Sequence, residues 1–210
     1  MHMTNIPINN LILASSSPRR AQLIHKIAAG FCGLKIQIIP PDIVESLSAD
    51  ETPQAAAVRL AYQKAQAVYS SVRPPHGTAV LGCDTVVALN GVILGKPADK
   101  NQAESFFRLL CGRTHHVITG VSILFLDANA KKPLKIIKDF EKSYVTFGAF
   151  CEKIVYNYIQ SGAPFDKAGG YGFQDKALSP LITAVKGCTD NIIGLPTALL
   201  TDILHKITAH

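Results

Sequence analysis

Apolar residues along the chain keep two rhythms, alternation in twos and recurrence in threes and fours, and the switches between them mark the elements. Leu11 to Ala14 is a short apolar run that ends in Ser15-Ser16-Ser17-Pro18-Arg19-Arg20, after which Leu23, Ile24 and Ile27 return at helical spacing. This predicts strand, tight loop and helix, with Ser17 as N-cap and Pro18 at the first helical position, where its missing N–H costs nothing. Arg19 and Arg20 then fall exposed in the first turn. Leu34, Ile36 and Ile38 alternate with Lys35 and Gln37 as a half-buried strand closed by Pro40-Pro41. A second helix runs from Thr52-Pro53 to about Tyr69 with Ala57, Leu60, Ala61, Ala65 and Val68 on one face, and the loop Ser70 to Gly77 ends it.

Val80 to Leu89 and Val92 to Leu94 flank Asn90-Gly91, a hairpin signal because both turn positions need positive φ. A helix is expected from Asp99 to Cys111, stopped by Gly112. Val117 to Leu126 and Leu134 to Phe147 read as long strands around the polar turn Asp127 to Lys132. Helix again covers Ala149 to Gln160, and the glycine-rich stretch Asp166 to Gln174 is irregular. The tail is expected to hold a helix before Gly187 and another from Pro196 to about Ile207. Hairpins alternating with helical crossovers argue an α/β fold, a mixed β-sheet flanked by helices. With no repeat and no long linker, the expected organisation is an extension over 1–10 and one domain over 11–207.

Composition narrows the class. Hydrophobic residues make up 48% of the 210 and charged residues 17%, which excludes disorder as the main state. The longest apolar stretches are broken by Asp84, Asn90 and Gly120, short of the roughly 18 residues a membrane helix needs. Met1 to Asn10 has no Lys or Arg and no apolar core with a cleavage site, so no export signal or membrane partner is expected, and the expected compartment is the cytoplasm. Five cysteines, an odd number with no C-x-x-C pair, read as reduced side chains packed as small hydrophobes. The net charge of +6 suits an anionic partner, whether nucleic acid, acidic surface or phosphorylated small molecule.

Two nucleotide motifs fail on spacing. Gly91 to Pro97 has three residues between its glycines where a P-loop has four, and Pro97 stands where the metal-binding hydroxyl belongs. Gly169-Gly170-Tyr171-Gly172 lacks the dinucleotide spacing. The loop Ser15 to Arg20 is better placed: serine hydroxyls, free N–H groups at a helix start and the guanidinium groups of Arg19 and Arg20 converge as a polyphosphate requires. Asp84 interrupts a strand that should be buried, and a carboxylate there is costly unless it is paired, binds a metal or does chemistry. It is the leading catalytic candidate. Lys64, Lys96 and Glu45, each taken alone, read as solvated surface charges. Asp166-Lys167 and Gln174, in one loop with Tyr171, suit either a binding loop or a structural turn. His115-His116, without a second ligand at metal spacing, read as structural or exposed.

In order along the chain stand Ser15-x-Ser17-Pro18-Arg19-Arg20, Arg59-Leu60-Ala61-x-x-Lys64-Ala65, Gly82-x-Asp84-Thr85-Val86-Val87, Gly95-Lys96-Pro97, His115-x-Val117-x-Thr119-Gly120-Val121, Asp166-Lys167-Ala168-Gly169-x-Tyr171-Gly172-x-Gln174 and Asn191-x-x-Gly194-Leu195-Pro196. Together, over Leu11 to Leu204, they resemble the Maf family of nucleoside triphosphate pyrophosphatases, once described as septum-formation inhibitors. The resemblance implies a two-lobed fold with a central cleft and hydrolysis of a nucleoside triphosphate to monophosphate and pyrophosphate. It implies Asp84 as proton acceptor, and Arg20, Thr85 and Gln174 as residues that shape substrate choice. Ser15, Arg19, Lys64, Lys96 and Lys167 are the further expected substrate contacts. Arg19, Arg20, Lys64 and Lys96 would neutralise the leaving pyrophosphate. Asp84 with Glu45 would seat a divalent cation, Mg²⁺ or alternatively Mn²⁺.

Lys167 and Gln174 point to the dTTP and UTP branch and its 5-methyl relatives, with clearance of non-standard nucleotides as the role. The branch acting on 7-methyl-GTP lacks that Lys and carries an acid in place of the Gln, and is the alternative substrate reading. This chain departs from the family pattern at Asp175, where glycine is usual, and at Lys176-Ala177-Leu178. The rival from another class is a nucleic-acid-binding cell-division regulator, although the basic residues form no stripe and no stable nucleic-acid partner is expected. A thiol enzyme built on Cys83 is a further rival. A homodimer is left open.

Overall fold

In the computed structural model, which describes residues 8–48, 50–72, 75–126 and 133–208, β1 (Asn10–Ala14) lies between two parallel neighbours. These are β2 (Lys35–Ile38) on one side and β3 (Thr78–Leu89) on the other. The chain runs from β1 through α1 (Pro18–Ala28) to β2, then through α2 (Pro53–Ser71) to β3. Successive strands therefore leave β1 in opposite directions, so its carboxyl end is a topological switch point. The short strand β4 (Val92–Leu94) folds back on β3 through Asn90 and Gly91, whose φ angles of 51° and 83° satisfy the turn. Antiparallel pairing continues through β5 (Thr114–Phe125), β6 (Lys135–Phe147) and β7 (Ile182–Lys186).

On one face of the sheet, α1 and α6 (Thr197–Thr208) cover Leu11, Leu13, Leu81, Cys83, Val121 and Ile123. On the other, α2 covers Ile12, Val80 and Leu124. A separate core gathers Phe107, Phe147, Leu110 and Leu178 where α3 (Lys100–Leu110) and α4 (Glu152–Gln160) pack beside the far ends of β5 and β6. The sheet is thus mixed and flanked by helices, as the hydrophobic rhythm predicts. No helix among the described residues is long and apolar enough to cross a membrane.

The tail corrects one expectation. The segment before Gly187 is the strand β7 and not a helix. Lys176–Leu181 forms a 3₁₀ helix containing Pro180, and the chain then extends because the end of β6 offers an open edge, with Gly148 N–H already donating to the Leu181 carbonyl at 2.7 Å. A short helix, α5 (Thr189–Ile193), which the hydrophobic rhythm does not predict, follows β7. Strand β5 begins at Thr114, before Val117, and α4 at Glu152, after Ala149. Ile8, from the stretch read as an extension, packs into the first core. Residues 1–7 of that extension and the expected turn Asp127 to Lys132 lie outside the described residues.

Candidate active site

Strand β1 ends at Ala14 opposite Gly82, whereas β4 joins β3 only at Val87. Between them, residues 83–86 of β3 pair with β5 alone. The chain leaving β1 turns away through the serines, and this gap opens a cleft of about 370 Å³. Asp84 and Thr85 are consecutive on the open stretch, so their side chains leave opposite faces of the sheet, one toward α2 and one toward α1.

The α2 side is set by two glycines. A Cβ on Gly82 would stand 2.0 Å from the Ala61 carbonyl oxygen, and one on Gly120 would stand 2.4 Å from that of Ala57. The helix can lie this close to β3 and β5 only over bare backbone, with its own alanines facing down. That approach brings Lys64, 6% exposed, onto Asp84, 5% exposed. The Lys64 ammonium donates to Asp84 and pairs with Glu45 Oε1 at 2.7 Å. Burial pushes the Asp84 carboxyl above its ordinary range against the pull of Lys64 and Arg20, and Glu45 adds to the push. Glu45 itself is held below the usual carboxylate range: desolvation works the other way but is outweighed by Lys64 and Lys96. Its segment is pinned by Arg59, which pairs with Glu51 at 2.7 Å and donates to the Ser46 carbonyl at 3.0 Å.

On the α1 side, Ser15 is buried and its hydroxyl accepts from Ser17 N–H at 3.1 Å, while Ser17 caps the helix by accepting from Arg20 N–H at 3.4 Å. Arg19 is half-buried on the rim. Arg20 corrects the expectation of an exposed arginine: it is half-buried, and Nε donates to the Gly194 carbonyl at 2.7 Å while Nη2 donates to Thr85 Oγ1 at 2.9 Å. Thr85 meets Thr119 at 2.9 Å, and the Thr119 hydroxyl donates to the Asn191 carbonyl at 2.9 Å.

Opposite, Lys96 lies 3.4 Å from Glu45 Oε2. The glycine-rich loop completes the wall, its Gly169 N–H held by the Gly95 carbonyl at 2.9 Å. Lys167 lines the cleft, but its ammonium is engaged by the Ala163 carbonyl at 2.5 Å and by Asp166 at 2.7 Å. Gln174 is exposed on the cleft wall. Tyr171 lines it from below, where its hydroxyl meets Nε2 of the fully buried His115 at 2.6 Å.

All ten candidate residues therefore line one cleft, with five cationic side chains and three carboxylates among its described lining residues. Lys64 and Glu45 are not the solvated charges that each suggests alone. Thr119, Asn191 and Gly194 stand in motifs readable in the sequence, where nothing local marks their part; they carry the support for Arg20 and Thr85. Asp84 and Glu45 both face the Lys64 ammonium, an all-oxygen pair of the kind a hard divalent cation takes when water and phosphate supply its remaining ligands. No cluster of three or more His, Cys, Asp or Glu able to hold a metal by itself occurs among the described residues.

The profile of a family described as Maf-like protein matches residues 10–207. The chain is 34% identical over 201 residues to a dTTP/UTP pyrophosphatase of Caldicellulosiruptor saccharolyticus, covering 95% of this chain and 96% of that one. It is 38% identical over 201 residues to the dTTP/UTP pyrophosphatase of Ruminiclostridium cellulolyticum, covering 95% and 97%. Among solved structures, a HAM1 protein from Coxiella burnetii aligns over 95% of this chain and 100% of that one with 16% identity and a TM-score of 0.44.

Proposed function

The chain belongs to the Maf family, and from that premise we propose that it hydrolyses dTTP, UTP and their 5-methyl or otherwise modified relatives to the nucleoside monophosphate and pyrophosphate. One observation carries the reading: a buried carboxylate, Asp84, stands at an open strand edge beneath a rim formed by a helix start with Arg19 and, opposite, by Lys96. Water attacks the α-phosphorus in line, the bond to the bridging oxygen of the pyrophosphate breaks, and Asp84 takes the proton of the attacking water. Burial strengthens Asp84 as a base, and Lys64 orients it and favours its ionised form. Arg19, through its guanidinium and its backbone N–H in the first turn of α1, and Lys96 bind the growing negative charge on the leaving group. Arg20 and Thr85 shape the neighbouring wall.

Asp84 and Glu45 would hold a divalent cation, Mg²⁺ or Mn²⁺, which when bound supplies charge to the phosphate oxygens. Gln174 meets the base. Its amide both donates and accepts, as a uracil or thymine edge requires, whereas a carboxylate could only accept and would suit guanine. Clearance of non-standard nucleotides in the cytoplasm is the role this activity serves, and the free cysteines fit a reducing compartment.

A panel of dTTP, UTP, CTP, GTP and 7-methyl-GTP with Mg²⁺, scoring pyrophosphate separately from orthophosphate, tests the reading. Pyrophosphate should appear first, with dTTP and UTP leading in kcat/KM. Orthophosphate released with a diphosphate left behind, or a lead for either guanine nucleotide, overturns it.

A further inference from the structure

Asp175 follows Gln174 and has no part in the chemistry above, yet it is the node of a hydrogen-bonded lock. Tyr158, on α4 and 2% exposed, donates its hydroxyl hydrogen to Asp175 Oδ2. The same phenol oxygen accepts from Gly172 N–H at 3.1 Å. Asp175 N–H returns to the Gly172 carbonyl at 3.0 Å, which closes a four-residue turn with Phe173 and Gln174 at its centre. Both ends of the turn that displays Gln174 are thus tied to one buried phenol.

The surroundings are built for this closure. A Cβ on Gly172 would stand 2.4 Å from Asp175 Oδ2, so the carboxylate can reach the phenol only past a residue without a side chain. Lys167 Nζ, 3.9 Å from the same oxygen, offsets its charge. The Asp175 carbonyl accepts from Leu178 N–H at 2.9 Å, and Leu178 is fully buried in the second core, so the node is rooted in packed structure. Burial, and then the Asp175 acceptor, push the Tyr158 phenol upward, in keeping with a phenol that donates to a carboxylate.

We propose that Asp175 and Tyr158 are positioning residues for substrate choice: they hold the turn so that Gln174 stands at a set depth from the facing wall, admitting a pyrimidine in preference to a purine. The inference rests on the proposed contact of Gln174 with the base and adds what holds it there. An untied turn still reaches the base but must be ordered by each substrate that binds, and it no longer fixes the room available. Asp84 and Lys64 belong to β3 and α2 and make none of the bonds of this lock, so the loss falls on binding and on discrimination rather than on turnover.

The test is steady-state kinetics of the full chain with UTP and GTP in Mg²⁺, for wild type, Tyr158→Phe, Asp175→Ala, Asp175→Asn, the double variant Tyr158→Phe/Asp175→Ala, and Gln174→Ala as reference. Tyr158→Phe and Asp175→Ala should each narrow the UTP-over-GTP preference about fivefold, through KM with kcat little changed. Asp175→Asn, whose amide oxygen still accepts the phenol hydrogen, should keep the preference. The double variant should be no worse than the worse single one, since both remove the same bond. The preference is a ratio and does not move with the folded fraction, so simple destabilisation cannot mimic the effect. If it is unchanged in Tyr158→Phe and Asp175→Ala but narrowed in Gln174→Ala, the lock is overturned and the base contact stands. If Gln174→Ala also leaves it unchanged, or wild type shows no preference, the base contact fails and the lock with it.

Discussion

Arg20 donates to the Thr85 hydroxyl at 2.9 Å, so two side chains expected to face a substrate face each other. The Thr119 hydrogen is committed to the Asn191 carbonyl, which makes Thr85 the donor to Thr119 and the acceptor from Arg20. The bonds run one way, from a guanidinium on α1 through two strands to α5, and Arg20 Nε closes the circuit at Gly194. Arg20 and Thr85 line the cleft, and they are held by Thr119, Asn191 and Gly194, which do not.

Arg20→Ala should therefore reduce stability as well as substrate handling, by about 1–3 kcal/mol, because it leaves a carbonyl and a hydroxyl without their charged donor. Thr85→Val should cost a similar amount. Denaturant unfolding of both single variants and the double variant should show a coupling of about 1 kcal/mol. Additive losses would mean that the two side chains are not in contact in solution.

Asp84→Asn keeps the shape of the carboxylate and an oxygen for Lys64, which retains Glu45 as its charged partner. Turnover should fall about 100-fold or more with a small change in melting temperature. Near-normal rates at saturating Mg²⁺ would remove Asp84 from the chemistry.

Gly82→Ala should be among the most damaging single-methyl changes in the chain. The new carbon meets backbone atoms of Ala61 and Ala65, which no rotamer change relieves, so α2 must lift from β3 at a cost of about 1–3 kcal/mol or more. Lys64 moves with the helix, and turnover should drop too. Gly95→Ala is the control: its Cβ meets only the Leu47 side chain, at 3.8 Å, and melting should be nearly unchanged.

His115 sets a pH dependence. Burial, with a smaller contribution from His116, lowers its pKa from 6.5 to about 4. Above 6.5 the imidazole is neutral in both states. As the pH falls below that value the unfolded chain takes up a proton that the folded chain refuses until about 4, so stability is lost across this window as the pH falls. The loss should be about 3 kcal/mol, levelling off below the folded pKa. Unfolding measured across that range should show wild type losing its advantage over His115→Gln; a constant difference would place a proton on the folded imidazole already.

Much of the scaffold was legible in the sequence because its signals are local. The period of Leu23, Ile24 and Ile27, the cap at Ser17-Pro18 and the positive φ demanded at Asn90-Gly91 each depend on a few neighbouring residues. Asp84 could be singled out for the same reason, since a carboxylate inside an apolar strand is anomalous without any knowledge of what surrounds it. What only the tertiary structure decided are partnerships between distant segments. Ile182–Lys186 became a strand because β6 had an edge to fill, and no pattern within those five residues reports that edge. Lys64 and Glu45 read as surface charges until α2, resting on Gly82 and Gly120, sets the Lys64 ammonium between Asp84 and Glu45. Asp175 reads as a misplaced acid until Tyr158, 17 residues earlier, supplies the hydrogen it accepts. Periodicity along a chain records which face of an element is buried; it carries no record of which buried or half-buried polar groups meet, because that depends on distances closed only when the elements pack.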